Sequence, residues 1–232
     1  MKMPNGIWTP STAVMARRVE PGDSLDDFPT PPWATRALLE FVVGDPVALS
    51  FQTCLEPACG RGHMARTLQE YFRHVYASDI HSYGFGSLRD FLSTDDFLPA
   101  NWDGDTPPID WIITNPPFRL AEQFVHKAVT IAKKGVAFFE RLVFAESISR
   151  YESIFRDNPP NVVAVFSERV PVVKGRLDRK AASATCYAWF VWSSFAKASE
   201  DRKLGLKIHA YPEFLWIPPC RKLLEKEGDY AN

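Results

Sequence analysis

Apolar positions along this chain alternate between two rhythms, a helical spacing and short continuous runs, with Gly and Pro at the changes. Pro-Pro pairs at 31–32, 107–108, 116–117, 159–160 and 218–219 mark the segment edges. The pattern predicts a helix over 31–43, with Pro in its first turn and Ala34, Ala37, Leu38, Phe41 and Val42 at helical spacing. A strand over 50–56, a helix over 62–72, a strand over 74–80, a buried strand over 109–114 and a helix over 120–133 follow. The later part reads as a strand over 135–140, a helix over 144–155, a strand over 161–166 and a long aromatic strand over 185–192. Strands alternating with helices imply βαβ units, and hence a mostly parallel sheet covered on both faces. In such sheets ligands bind beyond the carboxyl ends of the strands.

Composition narrows the classes. The 232 residues are 46% hydrophobic and 24% charged, as in an ordinary globular domain. No apolar run approaches the roughly 20 residues that span a bilayer, so no membrane span is expected. The start, Met1-Lys2-Met3-Pro4-Asn5-Gly6, has no apolar signal region, which predicts a cytoplasmic protein with reduced thiols. Cys54, Cys59, Cys186 and Cys220 form no C-x-x-C pair, and no metal site is expected. A formal charge of −1 argues against coating nucleic acid with the whole surface but leaves room for a local patch. The densest basic stretch holds Arg169, Lys174, Arg176, Arg179 and Lys180, and reads equally as a solvated loop or a phosphate contact. The aromatic share of 13%, with seven Trp, suits either a well-packed core or stacking walls.

Three strand ends carry candidate chemistry. The first reads Leu55-Glu56-Pro57-Ala58-Cys59-Gly60-Arg61-Gly62, a turn into a helix where Gly60 and Gly62 let backbone approach a ligand closely. It is neither G-x-G-x-x-G nor a P-loop, which weakens a dinucleotide reading and excludes a phosphate cradle. The second ends at Asp79-Ile80, and an acid at that distance from a Gly turn accepts hydrogen bonds from ribose hydroxyls, so a nucleoside ligand is expected. The third is Asn115-Pro116-Pro117-Phe118, where the 109–114 strand stops. Each X-Pro bond restricts the residue before it and each Pro fixes its own φ, so carbonyl directions are set in advance. The Asn115 amide oxygen and the Pro116 carbonyl can then accept from an NH₂ group on a planar ring stacked on Phe118. Such acceptors favour a pyramidal amine, whose freed lone pair attacks, and they stabilise the positive charge that develops. Asn158-Pro159-Pro160 repeats the tripeptide but precedes a strand and lacks the aromatic, which predicts an ordinary loop on the opposite sheet edge.

Together these segments resemble the S-adenosylmethionine-dependent amino-methyltransferases of the N-P-P-[FY] group, and most nearly the small phage- or prophage-type DNA adenine methyltransferases. The resemblance spans about residues 27–192 and implies a Rossmann-like class I methyltransferase fold, α/β, with a mostly parallel seven-stranded sheet in one domain. It implies a catalytic domain over 28–195, with appendages at 1–27 and 196–232. By motif it places S-adenosylmethionine against Glu56, Pro57, Ala58, Gly60 and Gly62, with Asp79 on the ribose, Ile80 on the adenine, and Asp90 and Phe91 at the adenine edge. Phe28-Pro29-Thr30-Pro31 is similar to the F-x-T-P segment that closes over the methionine end, and Asn115, Pro116, Pro117 and Phe118 match the catalytic motif. The implied partner is duplex DNA in a bacterial or phage-infected cell, its target adenine flipped out and its phosphates held by the 169–180 stretch. Ribosomal RNA adenine and protein glutamine methyltransferases share the motif, and an inactive cofactor-binding subunit is a different class of reading. Glu140 and Arg141 at a strand end read as an ion pair without an assigned role.

Overall fold

The computed structural model describes residues 26–93, 109–181, 183–193 and 212–230. Its strands are β1 (Thr53–Glu56), β2 (His74–Asp79), β3 (Ser87–Leu88), β4 (Trp111–Thr114), β5 (Gly135–Arg141), β6 (Val162–Phe166), β7 (Tyr187–Ser193) and β8 (Glu213–Ile217). They form one sheet in the order β3-β2-β1-β4-β5-β7-β6-β8, all pairs parallel except those made by β7. The sheet is thus the expected mostly parallel, Rossmann-like one, with eight strands among the described residues in place of seven. After β1 the chain builds outward to β2 and β3, then crosses to β4 on the other side of β1. That reversal opens a crevice above the carboxyl ends of β1 and β4.

Side chains leave a strand on alternate faces, and the two cores follow this period of two. On one face Cys54, Ile113, Phe139 and Trp189 pack with Trp33, Ala37 and Leu38 of α1 (Pro32–Leu38), Leu49 of α2 (Pro46–Leu49), and Met64 and Leu68 of α3 (His63–Leu68). On the other, Leu55, Ile112, Phe138 and Phe190 pack with Phe124, Val125 and Ala128 of α4 (Ala121–Ile131). Central strands buried on both faces explain the continuous apolar runs of the sequence.

Two expected helices depart from the simple pattern. The first ends in a π-helical turn, Leu39–Val43, where Gly44 at φ +68° donates its N–H to the Leu39 carbonyl. The expected 144–155 helix is broken into a 3₁₀ turn Leu142–Ala145, the short α5 (Ile148–Arg150) and a π turn Tyr151–Phe155. The break falls at Glu146 and Ser147, both extended, where the Ser147 hydroxyl caps α5 by accepting from the Arg150 N–H and the Arg150 guanidinium bonds the carbonyls of Phe144, Val143 and Glu146.

The C-terminal stretch expected as an appendage contributes to the core over its described part. β8 extends the sheet beside β6, and α6 (Arg221–Leu224) follows it. Arg36 on α1 is buried and donates to Glu70, to Asp229 and to the Leu224 carbonyl at 2.7–2.9 Å, tying helix to C-terminal segment. Of the two expected appendages, residues 1–25, 196–211 and 231–232 lie outside the described residues, as do 194–195 of the expected catalytic domain. No helix among the described residues is long and apolar enough to cross a membrane.

Candidate active site

The Gly turn is shaped by two residues with positive φ. Gly60, at +51°, has open space where a Cβ would stand, and it lines the cleft. Gly62, at +81°, starts α3, and a Cβ there would stand 2.4 Å from the Phe85 ring. Its lack of a side chain therefore serves packing against Phe85, and among the residues expected to hold the cofactor it is the one off the cleft wall. The turn is pinned to the next strand end. Asp79 Oδ2 accepts from the Gly60 N–H at 2.9 Å, Oδ1 accepts from the His81 N–H at 2.9 Å, and the Cys59 N–H donates to the Ser78 carbonyl at 2.9 Å. Burial outweighs these donors and lifts the Asp79 pKa above the ordinary range.

A cleft of about 890 Å³, its open mouth included, runs across these strand ends. Its wall holds Phe28, Pro29, Thr30, Glu56, Pro57, Ala58, Gly60, Asp79, Ile80, Asp90, Phe91, Asn115 and Pro117. The Ile80 side chain is exposed, whereas Phe91 is buried with its ring 4.8 Å from that of Phe124. Asp90 spends Oδ1 on the Leu92 N–H at 2.9 Å. Glu56 is wholly buried and its Oε2 has no partner; burial, with Asp79 beside it, pushes its carboxyl well above the usual range. A cationic ligand group next to Glu56 would offset that cost. An open backbone at Gly60, an acid on the cleft wall at the next strand end, apolar flanks and a buried carboxyl fit a nucleoside bearing a positively charged tail, as S-adenosylmethionine is.

The tetrapeptide Asn115-Pro116-Pro117-Phe118 leaves β4 at the opposite wall. Asn115 Nδ2 donates to the Phe28 carbonyl at 2.8 Å and to Thr30 Oγ1 at 3.0 Å. Both amide hydrogens are thereby spent, and Oδ1 keeps its lone pairs as an acceptor. Pro116 is buried and Phe118 half-buried; neither lines the cleft, but the Phe118 ring lies 5.5 Å from that of Phe28, which does. The Phe118 N–H donates to Asp26 Oδ2 at 2.8 Å. Asp26 carried no signal in the sequence, since an acid in a polar segment reads as a solvated residue.

Arg141 is the other unanticipated neighbour: its guanidinium lies 4.0 Å from the Phe118 ring centre and 5.8 Å from that of Phe28. It does not form the expected ion pair with Glu140, because consecutive strand residues point to opposite faces. Glu140 is instead buried with Oε1 unpartnered, and burial raises its pKa well above the usual range, against the opposing fields of Arg141 and Arg150 and with a further push from Asp26.

The expected nucleic-acid stretch spans the loop between β6 and β7, as its position predicts, but its cations are partly engaged within the chain. Arg169 donates to the Ala184 carbonyl, Arg176 pairs with Asp178 at 3.0 Å and Arg179 with Glu225 at 2.7 Å. Lys174 borders a hollow with Asp27, Arg61 and Tyr83, and Lys180 is exposed. Asp27 pairs with Arg61 of the Gly turn, and its carbonyl accepts from the Gly175 N–H at 2.8 Å. Among the described residues no cluster of three or more His, Cys, Asp or Glu is placed to hold a metal ion.

No protein-family model matches this sequence, nor does any curated protein. Solved structures are similar in shape. One described as a class I S-adenosylmethionine-dependent methyltransferase, from Listeria monocytogenes, matches 85% of this chain and 67% of its own, with a TM-score of 0.50 at 12% identity. A type I restriction-modification methyltransferase subunit from Streptococcus thermophilus matches 72% of this chain and 45% of its own at 0.49 and 12%, and an RNA methyltransferase from Pyrococcus horikoshii 72% and 86% at 0.49 and 15%. At these identities the likeness concerns fold, and the fold of this chain is that of the class I S-adenosylmethionine-dependent methyltransferases.

Proposed function

We propose that this protein methylates the exocyclic N6 amine of adenine in duplex DNA, using S-adenosylmethionine as donor. The observation that carries this reading is the spent amide of Asn115: with both hydrogens given to Phe28 and Thr30, its oxygen is an acceptor at the cleft wall, beside an aromatic ring. S-adenosylmethionine, bound in the cleft, supplies an electrophilic methyl group. The chain supplies the rest. Gly60, Asp79 and Ile80 hold the nucleoside end, Asp90 and Phe91 its base edge, and Glu56 with Phe28 and Pro29 the amino-acid end. Asn115 Oδ1 and the Pro116 carbonyl accept from the target NH₂ and stabilise its developing positive charge. Phe118 holds the plane of the ring. A paired adenine keeps N6 inside the duplex, out of reach of both acceptors, so the target base is flipped at a cost of a few kcal/mol.

A parallel assay tests this: labelled S-adenosylmethionine offered with duplex DNA, ribosomal RNA and a glutamine-bearing release-factor-like protein. Label in adenine of the DNA is the expected result. Label in RNA or in glutamine, with DNA untouched, overturns the substrate; no cofactor binding by calorimetry overturns the whole reading.

A further inference from the structure

We infer that Thr30 is a positioning residue for transfer: its hydroxyl, beside the Phe28 carbonyl, holds the Asn115 amide with its oxygen toward the cleft. This rests on the proposed function and deepens it, because the resemblance assigned the 28–31 segment to the cofactor alone.

A primary amide is nearly symmetric in shape, and the side chain of Asn115 would fit its place with either oxygen or nitrogen outward. Only the oxygen accepts from a target amine; an outward NH₂ would repel it. The choice is made by what the buried end meets. Phe28 O at 2.8 Å can only accept, so reversing the amide would set its oxygen against that carbonyl; the Thr30 hydroxyl, 3.0 Å from Nδ2, takes the second amide hydrogen and holds the group in that orientation. Thr30 is itself buried, which raises the cost of leaving either group unpaired.

The segment is built to hold these atoms still. Phe28 and Thr30 each precede a proline, Pro29 and Pro31, so both are confined to extended backbone. Pro31 is extended, at φ −59° and ψ 136°, and leads directly into α1, every residue of which is buried. The Ala34 carbonyl of that helix accepts from Trp189 Nε1 at 3.0 Å, anchoring it to β7. The same segment reaches the aromatic, since Asp26 receives the Phe118 N–H. A single strap thus aligns the acceptor and the stacking ring.

The test uses Thr30→Val, which keeps shape and removes the acceptor, and Thr30→Ser, which restores it. Two readouts are taken on the full chain. Nuclear magnetic resonance of the Asn115 side-chain amide needs no substrate: the wild type and Thr30→Ser should show slowly exchanging protons, and Thr30→Val, left with the Phe28 carbonyl alone, should exchange measurably faster. In steady-state transfer to DNA, Thr30→Val should lower kcat by about tenfold or more, the scale seen when one transition-state partner is misplaced, with KM and cofactor Kd within about threefold of wild type. Unchanged Asn115 exchange in Thr30→Val overturns the inference whatever the substrate proves to be. So does a loss of activity that follows cofactor Kd, which would make Thr30 a cofactor contact. Transfer to RNA or protein instead of DNA would sink the substrate assignment while the amide measurement still decides the role of Thr30.

Discussion

The chain carries one tripeptide twice, and the two copies behave as different chemistry. Asn115-Pro116-Pro117 leaves β4 at the carboxyl edge of the sheet, while Asn158-Pro159-Pro160 enters β6 at the amino edge. β4 and β6 point the same way, since β7 lies antiparallel to both β5 and β6. Asn115 is drawn into the crevice and has its amide hydrogens taken by the 28–30 strap. Asn158 is exposed, and it is its backbone carbonyl that serves the fold, accepting from Trp192 Nε1 at 3.0 Å. Where the first copy continues into Phe118, the second continues into Asn161, whose Oδ1 accepts from the Ser193 N–H at 2.6 Å. A local motif therefore acquires function from the direction of the strand it joins and from what the crevice brings against it.

The widest contrast is kinetic. Asn115→Ala should lower kcat by about a hundredfold to a thousandfold, the loss expected for a preorganised transition-state partner, with cofactor affinity nearly intact. Asn158→Ala, which keeps the bonded carbonyl, should leave kcat within about twofold. Equal effects in steady-state assays would break the comparison. Next comes the shared crevice. Asp79→Ala should weaken S-adenosylmethionine binding by about 1.5–3 kcal/mol in calorimetry, the scale of lost hydrogen bonds to a charged group, and should also loosen Gly60.

A smaller effect sharpens the energetics of the carboxyl edge. Glu140 holds its proton to higher pH when folded than when unfolded, so its burden on stability is absent below the ordinary carboxylate range and grows as pH rises above it. Glu140→Gln should raise the thermal midpoint by a few degrees at pH 8 and hardly at all at pH 4, read by paired melting curves. A uniform shift at both values would show that packing, not charge, is responsible. The smallest effect is expected at the basic loop. Neutralising Arg176 and Lys180 together should lower the salt slope of DNA binding by less than two, because Arg176 already pairs with Asp178. A full drop of two would restore the loop as a phosphate contact independent of its ion pair.

Much of this molecule was legible in its sequence where the determinants are local. The β4 strand and its Pro-Pro end, the Gly turn after β1 and the acid after β2 are each written within a few consecutive residues. The apolar periodicity over 144–155 predicts one helix because it says nothing about Ser147 capping a new one or Arg150 bonding three carbonyls. β8 escaped notice because Phe214 and Trp216 are exposed on a polar background, and the Leu215 and Ile217 that face the core give only two positions of alternation.

The sequence by itself determined the alternation of strands and helices, the rigid turns at the strand ends and the kinds of group offered there. Backbone propensity and the conformational limits of Gly and Pro act over a few residues, and those limits hold in any surroundings. Only the tertiary structure decided that Thr30 and Phe28 meet Asn115 across 85 and 87 residues of chain, that Asp26 meets Phe118 across 92, and that Arg36 meets Asp229 across 193. Such contacts bear the entropy of closing long loops and form only because the whole sheet buries its two faces at once, a sum over the molecule that no short segment contains.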